Sequence, residues 1–476
     1  MSVNTDELYG YDNEFRDKLA TVDDAGKRVW VYPKKPRGRY HKARILVAVI
    51  LLLLLFSGPL IKVNGHAFML FDIINRRFII FGVPFWPQDF HIFVLALITF
   101  VVFIVLFTVI YGRVWCGWAC PQTIFMEMVF RKIEYWIEGD ASKQRKLQSM
   151  PWNQEKIIKK GSKHAVFILI AVLISHTLMA YLVGIDEVKE LVTHPPMEHM
   201  AGFTGLVFFT GLFYFIFAFF REQACTVVCP YGRLQGVFLG KNSIVVMYDW
   251  LRGEPRGKLK KNDTSIAADK GDCIDCKMCV HVCPTGIDIR NGTQLECVNC
   301  TACMDACDSV MGKVKRPSGL IRYASINSVE ESRSNLFTTR VVGYSVVLVL
   351  LISLLSYFLI SRSPIETTVL RVPGTLYQEQ PNNRISNLYN IQFINKTFES
   401  KNLSIKLEGF PDGTIKKVGE SALDISANGD IDGIFFIELP KGSLKNSKTK
   451  LVIDVIENGQ VIDKAKTTFF SPIKFK

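Results

Sequence analysis

The chain has 476 residues, of which 49% are hydrophobic, and its formal net charge is +13. This length allows two or three domains, and the apolar content excludes a purely soluble protein. All 12 cysteines fall into two short motifs and one run at residues 273–307, which argues against a scattered disulfide framework and for a reducing compartment.

Five segments are apolar and long enough to cross a bilayer, which takes roughly 20 residues. They are predicted at about 44–63, 90–111, 164–184, 202–220 and 339–361. Residues 1–43 are polar and no small-residue cleavage site follows, so we expect the first span to be a retained anchor. Residues 65–89 are apolar but interrupted by charge and proline, which favours an interfacial or re-entrant segment.

The distribution of lysine and arginine predicts the orientation of the spans. Basic residues cluster before the first span and between the second and third, whereas the loop between the third and fourth is acidic. Because basic loops stay in the cytoplasm, we expect a cytoplasmic N-terminal segment and a cytoplasmic region at 221–338. Residues 362–476 are then periplasmic in a bacterial inner-membrane protein. Arg76 and Arg77 fall on the outer side and are outweighed.

A four-helix membrane core is predicted at 44–220, and each of its two hairpins is followed by Cys-x3-Cys-Pro, at 116–121 and 225–230. In a helix, positions i and i+4 share a face, so each motif could present two thiols inward. The four thiols could hold copper or an iron–sulfur cluster, which would be a third beside the two assigned below. They could also form reversible disulfides, or remain buried and inert. The residues concerned are Cys116, Cys120, Cys225 and Cys229.

The surroundings of these motifs suggest two further expectations. Arg113, Arg131 and Arg221 lie nearby in sequence, and we expect their charge to lower the pKa of the thiols. Trp115 and Trp118 are interpreted as anchors at the membrane interface.

The predicted outer loop between the third and fourth spans, "HPPMEHM", is rich in imidazole and thioether groups. These donors favour copper where thiols would be oxidised, although histidine and methionine in a short loop usually face solvent or membrane. The candidate metal ligands are His194, Met197, His199 and Met200.

The most specific signal is "CIDCKMCVHVCP" at 273–284, which is matched by "CVNCTACMDAC" at 297–307. Each run has the ferredoxin spacing C-x2-C-x2-C-x3-C, and the fourth cysteine of one run ligates the cluster of the other. Zinc binding by paired cysteines is the alternative, and two full runs at this spacing make it the weaker one. The second run has Asp308 where the first has proline. The first [4Fe–4S] cluster is assigned to Cys273, Cys276, Cys279 and Cys307, and the second to Cys297, Cys300, Cys303 and Cys283.

The tail at 362–476 alternates polar and apolar residues in several short runs, which predicts a β-sandwich of immunoglobulin type. Its clearest element is a hairpin at 451–470 with Asn458-Gly459 at the turn. The predicted fold is therefore a polytopic α-helical membrane protein with about five transmembrane helices. It carries an inserted two-cluster ferredoxin domain, a fifth transmembrane helix at 339–361 and a C-terminal immunoglobulin-like domain.

This combination resembles the CcoG/FixG/RdxA family of cytochrome oxidase accessory proteins, and the resemblance covers nearly the whole chain. It extends to the segments "RRFIIFGVPFWPQD", "GRVWCGWACPQT" and "REQACTVVCPYGRLQ". The membrane motif also recurs in the accessory proteins NapH and NosR, so by itself it indicates membrane electron transfer and not copper.

The resemblance implies help in assembling cbb3-type cytochrome c oxidase, by reduction of Cu(II) to Cu(I) for the copper centre of the oxidase. The implied partners are oxidase subunits, copper chaperones or transporters, and membrane lipid. No nucleic acid is expected. The electron donor and the oligomeric state, including a homodimer, stay open. The alternatives are a quinol-linked electron-transfer subunit of the NapH or NosR kind and a redox-poised assembly scaffold without reductase activity.

Overall fold

The computed structural model describes residues 21–22, 25, 27–63, 65–73, 77–258, 270–333, 335–374, 376–419, 423–444 and 446–472. Most of the predicted N-terminal segment and Arg76 lie outside these ranges. The chain divides into two units. The first comprises the described residues up to Ile61 together with Leu95–Ile352, and the second those of Lys62–Val94 and Ser353–Lys476.

Five helices of the described chain are long and apolar enough to cross a membrane, which confirms the predicted number. They are Arg39–Leu60, Pro87–Tyr111, Gln154–Val183, Met200–Phe220 and Thr339–Ile360. At most 33% of the most apolar stretch of any of them is buried within the protein, which leaves apolar surface for lipid. The third begins about ten residues earlier than predicted, because the side chain of Asn153 caps it by accepting a hydrogen bond from the Lys156 N–H at 2.9 Å.

Shorter elements connect these spans within the first unit. The α-helices are Val114–Trp118, Pro121–Thr123, Arg131–Ile137, Ala141–Ser149, Ile185–Thr193, Pro230–Phe238, Trp250–Gly253, Met278–His281, Ala302–Lys313 and Ile326–Glu330. The connecting segments Ile124–Phe130 and Ala224–Val228 are π-helical, and so is Ile216–Phe220 at the end of the fourth span. Strands Val245–Tyr248 and Ile321–Ala324 pair antiparallel, and they pack in one core with cysteines of the ferredoxin-type region.

A buried ion network holds together the segments around the two membrane motifs. Arg221 donates to both carboxylate oxygens of Glu134 at 2.9 Å, and both side chains are nearly inaccessible. Arg131 pairs with Glu127 at 3.0 Å and approaches Glu222 at 3.7 Å. Buried charges are stable only when they are paired, so these contacts fix the chain that leads into the second motif.

The second unit contains a β-sandwich, as predicted. One sheet has the strand order Thr414–Lys417, Asp430–Pro440, Arg384–Asn395 and Ile365–Arg371, with Gln378–Gln380 also paired to Arg384–Asn395. The other has the order Ser404–Leu407, Lys448–Glu457 and Gln460–Phe470. Inward side chains of both sheets form one core, and Lys401–Asn402 pairs with Asp424–Ile425 beside them. The predicted hairpin is confirmed, because Asn458 and Gly459 both have positive φ at its two-residue turn.

The segment predicted as interfacial or re-entrant forms strands and belongs to the second unit. Leu70–Asp72, Arg77–Ile80 and Val83–Phe85 make a three-stranded antiparallel sheet, and Lys62–Val63 pairs with His66–Ala67. The re-entrant interpretation is wrong, because an open sheet has unpaired edge groups that do not suit the hydrocarbon region. The sequence suggested a membrane path because this small sheet is rich in aromatic and apolar residues.

Asp89 ties this segment to the sandwich, and we expect Asp89→Asn to destabilise the second unit. Its two carboxylate oxygens accept hydrogen bonds from Arg362 at 2.7 Å and Lys396 at 2.6 Å. Removing one partner from a buried ionic cluster costs about 3–5 kcal/mol of unfolding free energy. Because Glu366 also pairs with Lys396, the loss should be near the lower value.

Limited proteolysis of the purified full chain measures this effect as faster cleavage within 353–472. Glu408→Gln is the matched control, because Glu408 pairs with Lys464 on the exposed surface and its loss should change little. Equal cleavage rates for the two variants would contradict the structural role of Asp89.

Candidate iron–sulfur and thiol sites

The four cysteines assigned to the first cluster line one cavity. Cys273, Cys276 and Cys279 come from the first run, and Cys307 comes from the helix Ala302–Lys313 of the second run. Four thiols around one small cavity match the ligand set of a [4Fe–4S] cluster, including the crossed fourth ligand.

The four cysteines assigned to the second cluster line a separate cavity. Cys297, Cys300 and Cys303 are joined there by Cys283 of the first run, and Cys279 reaches the same wall. Each cavity therefore combines cysteines of both runs, as the crossed assignment requires, and the assignment itself stays a prediction. No group of three or more His, Cys, Asp or Glu side chains in the described chain is close enough to hold a single metal ion.

Each cysteine loop has the same unusual backbone. Residues two and four positions after the first cysteine have positive φ, at 51° and 54° for Asp275 and Lys277 and at 52° and 62° for Asn299 and Thr301. Left-handed conformations are uncommon for residues other than glycine. Their repetition at equivalent positions shows that the two loops curl alike, which fits two sites of one kind.

Side chains fix each loop in this conformation. Arg290 bridges Asp288 and Asp275, because its Nε and Nη2 donate to Asp288 at 2.8 Å and 2.6 Å and its Nη1 donates to Asp275 at 2.5 Å. In the other loop, Asn299 accepts a hydrogen bond from the Val246 N–H at 3.2 Å. Asp308, which stands in place of the second proline, accepts one from the Gly319 N–H at 2.8 Å.

Burial raises the pKa of several cysteines in these cavities. It brings the pKa of Cys279, Cys297 and Cys307 to about 12 and that of Cys300 to about 11. These thiols are neutral in the iron-free protein at pH 7. Because iron binds the thiolate, cluster loading must release protons and depends on pH.

The two Cys-x3-Cys-Pro motifs are not continuous helix. Val114–Trp118 ends before Cys120, and the π-helix Ala224–Val228 ends before Cys229. Both second cysteines are extended, with ψ of 125° and 112°, and each precedes a proline that opens the next helix. A residue before proline avoids helical geometry, so the i, i+4 interpretation is wrong and a turn positions each pair.

The four membrane-proximal thiols nevertheless lie near enough to influence one another electrostatically, although no three of them are close enough to hold one metal ion. Cys120 and Cys229 both influence Cys116 electrostatically, and all three influence Cys225. All four are free thiols. Cys116 and Cys225 also pack against the core that contains Cys300 of the second cluster cavity, with Cys303 beside them. These two thiols therefore directly adjoin the second cluster cavity.

The net pKa shift of Cys116 and Cys225 is opposite to the one expected from the neighbouring arginines. Burial raises the pKa of Cys116 to about 11, which outweighs the lowering by Arg113, and raises that of Cys225 to about 12. Arg131 and Arg221 are occupied by carboxylates in the ion network. The sequence shows the nearby charges but not the glutamates that neutralise them.

Arg44 joins the first motif to the second cluster loop, a role that the sequence did not reveal. Its buried guanidinium donates to the Gly117 carbonyl at 2.9 Å and to the Cys300 carbonyl at 2.8 Å. Trp118 donates to the Tyr323 hydroxyl at 2.9 Å, so it faces the ferredoxin-type region and is not a lipid anchor. Trp115 is exposed.

A hydrogen-bonded chain reaches Cys116 from the second span. The Thr108 and Tyr231 hydroxyls are 2.7 Å apart, Tyr231 also bonds Gln235, and the Gln235 amide donates to the Cys116 sulfur at 3.5 Å. Gln235 is fully buried. Such contacts orient a ligand and tune its electronics. In the sequence, the only indication of these contacts is that Tyr231 and Gln235 belong to the "YGRLQ" stretch after the second motif.

Gly117→Ala is expected to separate the first motif from the second cluster loop. A methyl group at this position would lie 2.5 Å from the Val298 carbonyl oxygen and 2.6 Å from that of Asn299. Backbone atoms cannot yield cheaply, so we expect partial loss of the second cluster, measured as a lower iron content and a weaker paramagnetic resonance signal of the reduced protein.

Gly211→Ala is the control for this change, because nothing lies near the added methyl in the fourth span. Iron content equal to the wild type in both variants would show that the two loops tolerate separation.

The candidate copper ligands lie between the third and fourth spans, where His194, Met197 and His199 belong to the connecting loop and Met200 is the first residue of the fourth span. The rings of His194 and His199 are 6.1 Å apart, and the Nδ1 atom of His194 is 3.1 Å from the Glu190 carbonyl oxygen. Met197 and Met200 are exposed. The copper role of this loop stays a prediction.

Comparison with known proteins identifies the family. A model described as a 4Fe-4S dicluster domain matches residues 220–326, one described as a 4Fe-4S binding domain matches 93–143, and the Ig-like fold at the C-terminus of FixG matches 355–472. The nitrogen fixation protein FixG of Rhizobium meliloti is 32% identical over 471 residues, covering 87% of each chain. The chain belongs to the FixG family.

Other relatives agree with this assignment. Protein RdxB of Cereibacter sphaeroides is 33% identical over 443 residues, covering 88% of this chain and 90% of RdxB. The ferredoxin-type protein NapH of Escherichia coli is 23% identical over 218 residues, 43% of this chain and 63% of NapH. This FixG family member is a membrane protein with iron–sulfur electron-transfer modules and an Ig-like C-terminal domain.

Proposed function

We propose that this FixG family member reduces Cu(II) to Cu(I) at Cys116, Cys120, Cys225 and Cys229, in support of the assembly of cbb3-type cytochrome oxidase. The observation that supports this is that Cys116, Cys225 and Cys303 all pack against the core that contains Cys300. No other cysteine lies outside the two ferredoxin-type sets, so these are the thiol ligands available to an incoming copper ion.

The chemistry is a one-electron reduction. The clusters, when bound by their eight cysteines, supply electrons one at a time, and a low-potential one-electron carrier protein on the ferredoxin side replenishes them. Each Cu(II) ion takes up one electron and becomes Cu(I). Soft thiolates bind Cu(I) in preference to Cu(II), so the thiol site favours the reduction and retains the product. The Gln235 amide and the Arg44 guanidinium hold this site in place.

The test is the yield of Cu(I) from prereduced protein. The anaerobic full chain is reduced with dithionite, freed of excess reductant and mixed with Cu(II) and a Cu(I)-specific chromogenic chelator. Two clusters that each hold one electron should yield about two Cu(I) per chain, and a third cluster at the membrane thiols about three. Replacement of the four cysteines by serine should lower the rate at least tenfold while about eight irons remain.

Two results would contradict the proposal. One is an unchanged rate in the four-serine variant, and the other is loss of the rate only when His194, Met197, His199 and Met200 are replaced by alanine. The second result would move the copper site to the exposed outer loop.

A quinol-linked role is the second candidate. It is favoured by the match to NapH, which covers 43% of this chain. The same preparation, oxidised and mixed with a short-chain quinol, distinguishes the two. Cluster reduction by quinol without Cu(II) reduction by the reduced protein would support the quinol-linked role.

The proposal places the chain in the bacterial inner membrane with the clusters in the cytoplasm, because the basic loops adjoin the cluster side. The β-sandwich then faces the periplasm, where it would dock oxidase subunits or copper chaperones. Deletion of 366–476 separates docking from chemistry. Loss of oxidase assembly with Cu(II) reduction retained would support the docking role, and normal assembly would exclude it.

A further inference from the structure

A cavity outside the redox sites lies where the second span ends and the fifth span begins. Its volume is about 310 Å³, and it is lined by the last turn of the second span, at Val109 and Ile110, and by the first turn of the fifth, at Thr339 and Arg340. The loop 240–243 closes its third side. The ends of two spans mark the depth of lipid headgroups.

The loop wall is fixed by hydrogen bonds. The Ser243 hydroxyl donates to the Val109 carbonyl at 2.6 Å, and the Ile244 N–H donates to the Ile110 carbonyl at 2.8 Å. The side chain of Asn327 donates to that of Asn242 at 2.8 Å. The cavity is therefore built into the junction between the second span and the strand Val245–Tyr248.

The charge of the cavity is positive. Lys241 and Arg340 contribute to its lining, and no Asp, Glu or His side chain is among the described residues around it. Both side chains are exposed, and the described chain shows no ion pair for either. Two cations at headgroup depth attract an anionic group.

The fifth span continues this surface with an apolar stripe. Val342, Val346 and Val349 are 48%, 55% and 62% exposed, and their spacing places them on one face of the helix. An acyl chain can lie along this face while its phosphate occupies the cavity. A quinol fits less well, because its oxidation releases protons and the described lining offers no carboxylate or imidazole to accept them.

We propose that this cavity binds the headgroup of an anionic phospholipid, such as phosphatidylglycerol, with Lys241 and Arg340 pairing with the phosphate. The bound lipid would also stabilise the region around the second cluster cavity. Ser243 in the cavity wall is only three residues from Val246, which lines the second cluster cavity, a span of at most about 11 Å along the chain.

Native mass spectrometry tests the proposal. The full chain, delipidated in an uncharged detergent, is offered equal amounts of phosphatidylglycerol and phosphatidylcholine with identical chains. The wild type should retain one more bound molecule of phosphatidylglycerol than of phosphatidylcholine. The double variant Lys241→Gln with Arg340→Gln should lose this preference roughly tenfold or more.

Two control variants separate charge at the cavity from general effects. Lys313→Gln with Lys315→Gln removes two exposed charges elsewhere in the same unit and should keep the preference. Lys241→Arg with Arg340→Lys keeps the charge and should therefore keep the preference for phosphatidylglycerol. This variant tests the role of charge even if the Lys241→Gln/Arg340→Gln variant does not fold.

Three outcomes would overturn the inference. They are an equal preference in the Lys241→Gln/Arg340→Gln variant and the wild type, displacement of the lipid by millimolar inorganic phosphate alone, and displacement by decylubiquinone at concentrations that leave the other bound lipids in place. The second would assign the cavity to a free phosphate compound and the third to a quinone.

Discussion

Replacing Cys303 with serine is expected to remove about four of about eight iron atoms per chain. Cys303 lines the second cluster cavity together with Cys283, Cys297 and Cys300. A serine hydroxyl is a poor substitute for a thiolate on iron, so this cluster should be lost while the first remains. Iron and acid-labile sulfide content, with paramagnetic resonance of the reduced protein, measure the change.

Double variants test the crossed ligand sets more sharply than single ones. Cys283 and Cys303 line the same cavity, so replacing both should remove no more iron than replacing Cys303 alone. Cys276 lines the other cavity, and replacing it together with Cys303 should remove nearly all the iron. If the Cys283 and Cys303 pair removed all the iron instead, Cys283 would belong to the first cluster and the assignment would be wrong.

Glu134→Gln is expected to destabilise the first unit by about 3–5 kcal/mol. Burial alone raises the pKa of Glu134, but Arg221, Lys163 and Arg131 outweigh it and hold the pKa below its usual value. The carboxylate is therefore ionised, and the amide would leave the buried Arg221 without its bidentate partner. Thermal unfolding of the detergent-solubilised chain should show a clearly lower midpoint.

Glu155→Gln is the matched control, because Glu155 makes an exposed pair with Lys159 one turn away in the third span. Screened surface pairs contribute little, so its midpoint should stay close to that of the wild type. A Glu134→Gln midpoint equal to that of this control would show that the ion network does not stabilise the membrane core.

Local patterns in the sequence were sufficient for several predictions. The five spans follow from runs of apolar residues, because a bilayer requires an uninterrupted apolar helix. The crossed ligand sets follow from cysteine spacing, since the C-x2-C-x2-C turn can supply only three ligands to one cluster. The hairpin at Asn458 and Gly459 follows from turn chemistry that needs positive φ at both residues.

Predictions that depended on which segments meet were less successful. The re-entrant alternative for residues 65–89 was wrong because the strands of this segment pair with each other and are tied to the sandwich through Asp89. Apolar composition alone does not distinguish such a sheet from a membrane segment. The arginines near the motifs were expected to activate the thiols, but Glu134 and Glu127, which neutralise Arg221 and Arg131, were not recognised as their partners.

By itself, the sequence determined the number of spans and the sandwich and predicted the two cluster ligand sets, because each depends on residues close together in the chain or on a fixed spacing. Only the tertiary structure decided that Cys116 and Cys225, which come from two separate motifs, pack beside the second cluster cavity. That contact depends on Arg44 and Gly117 bringing a membrane loop onto the Cys300 loop, more than 180 residues away in sequence. Such long-range packing has no local signature.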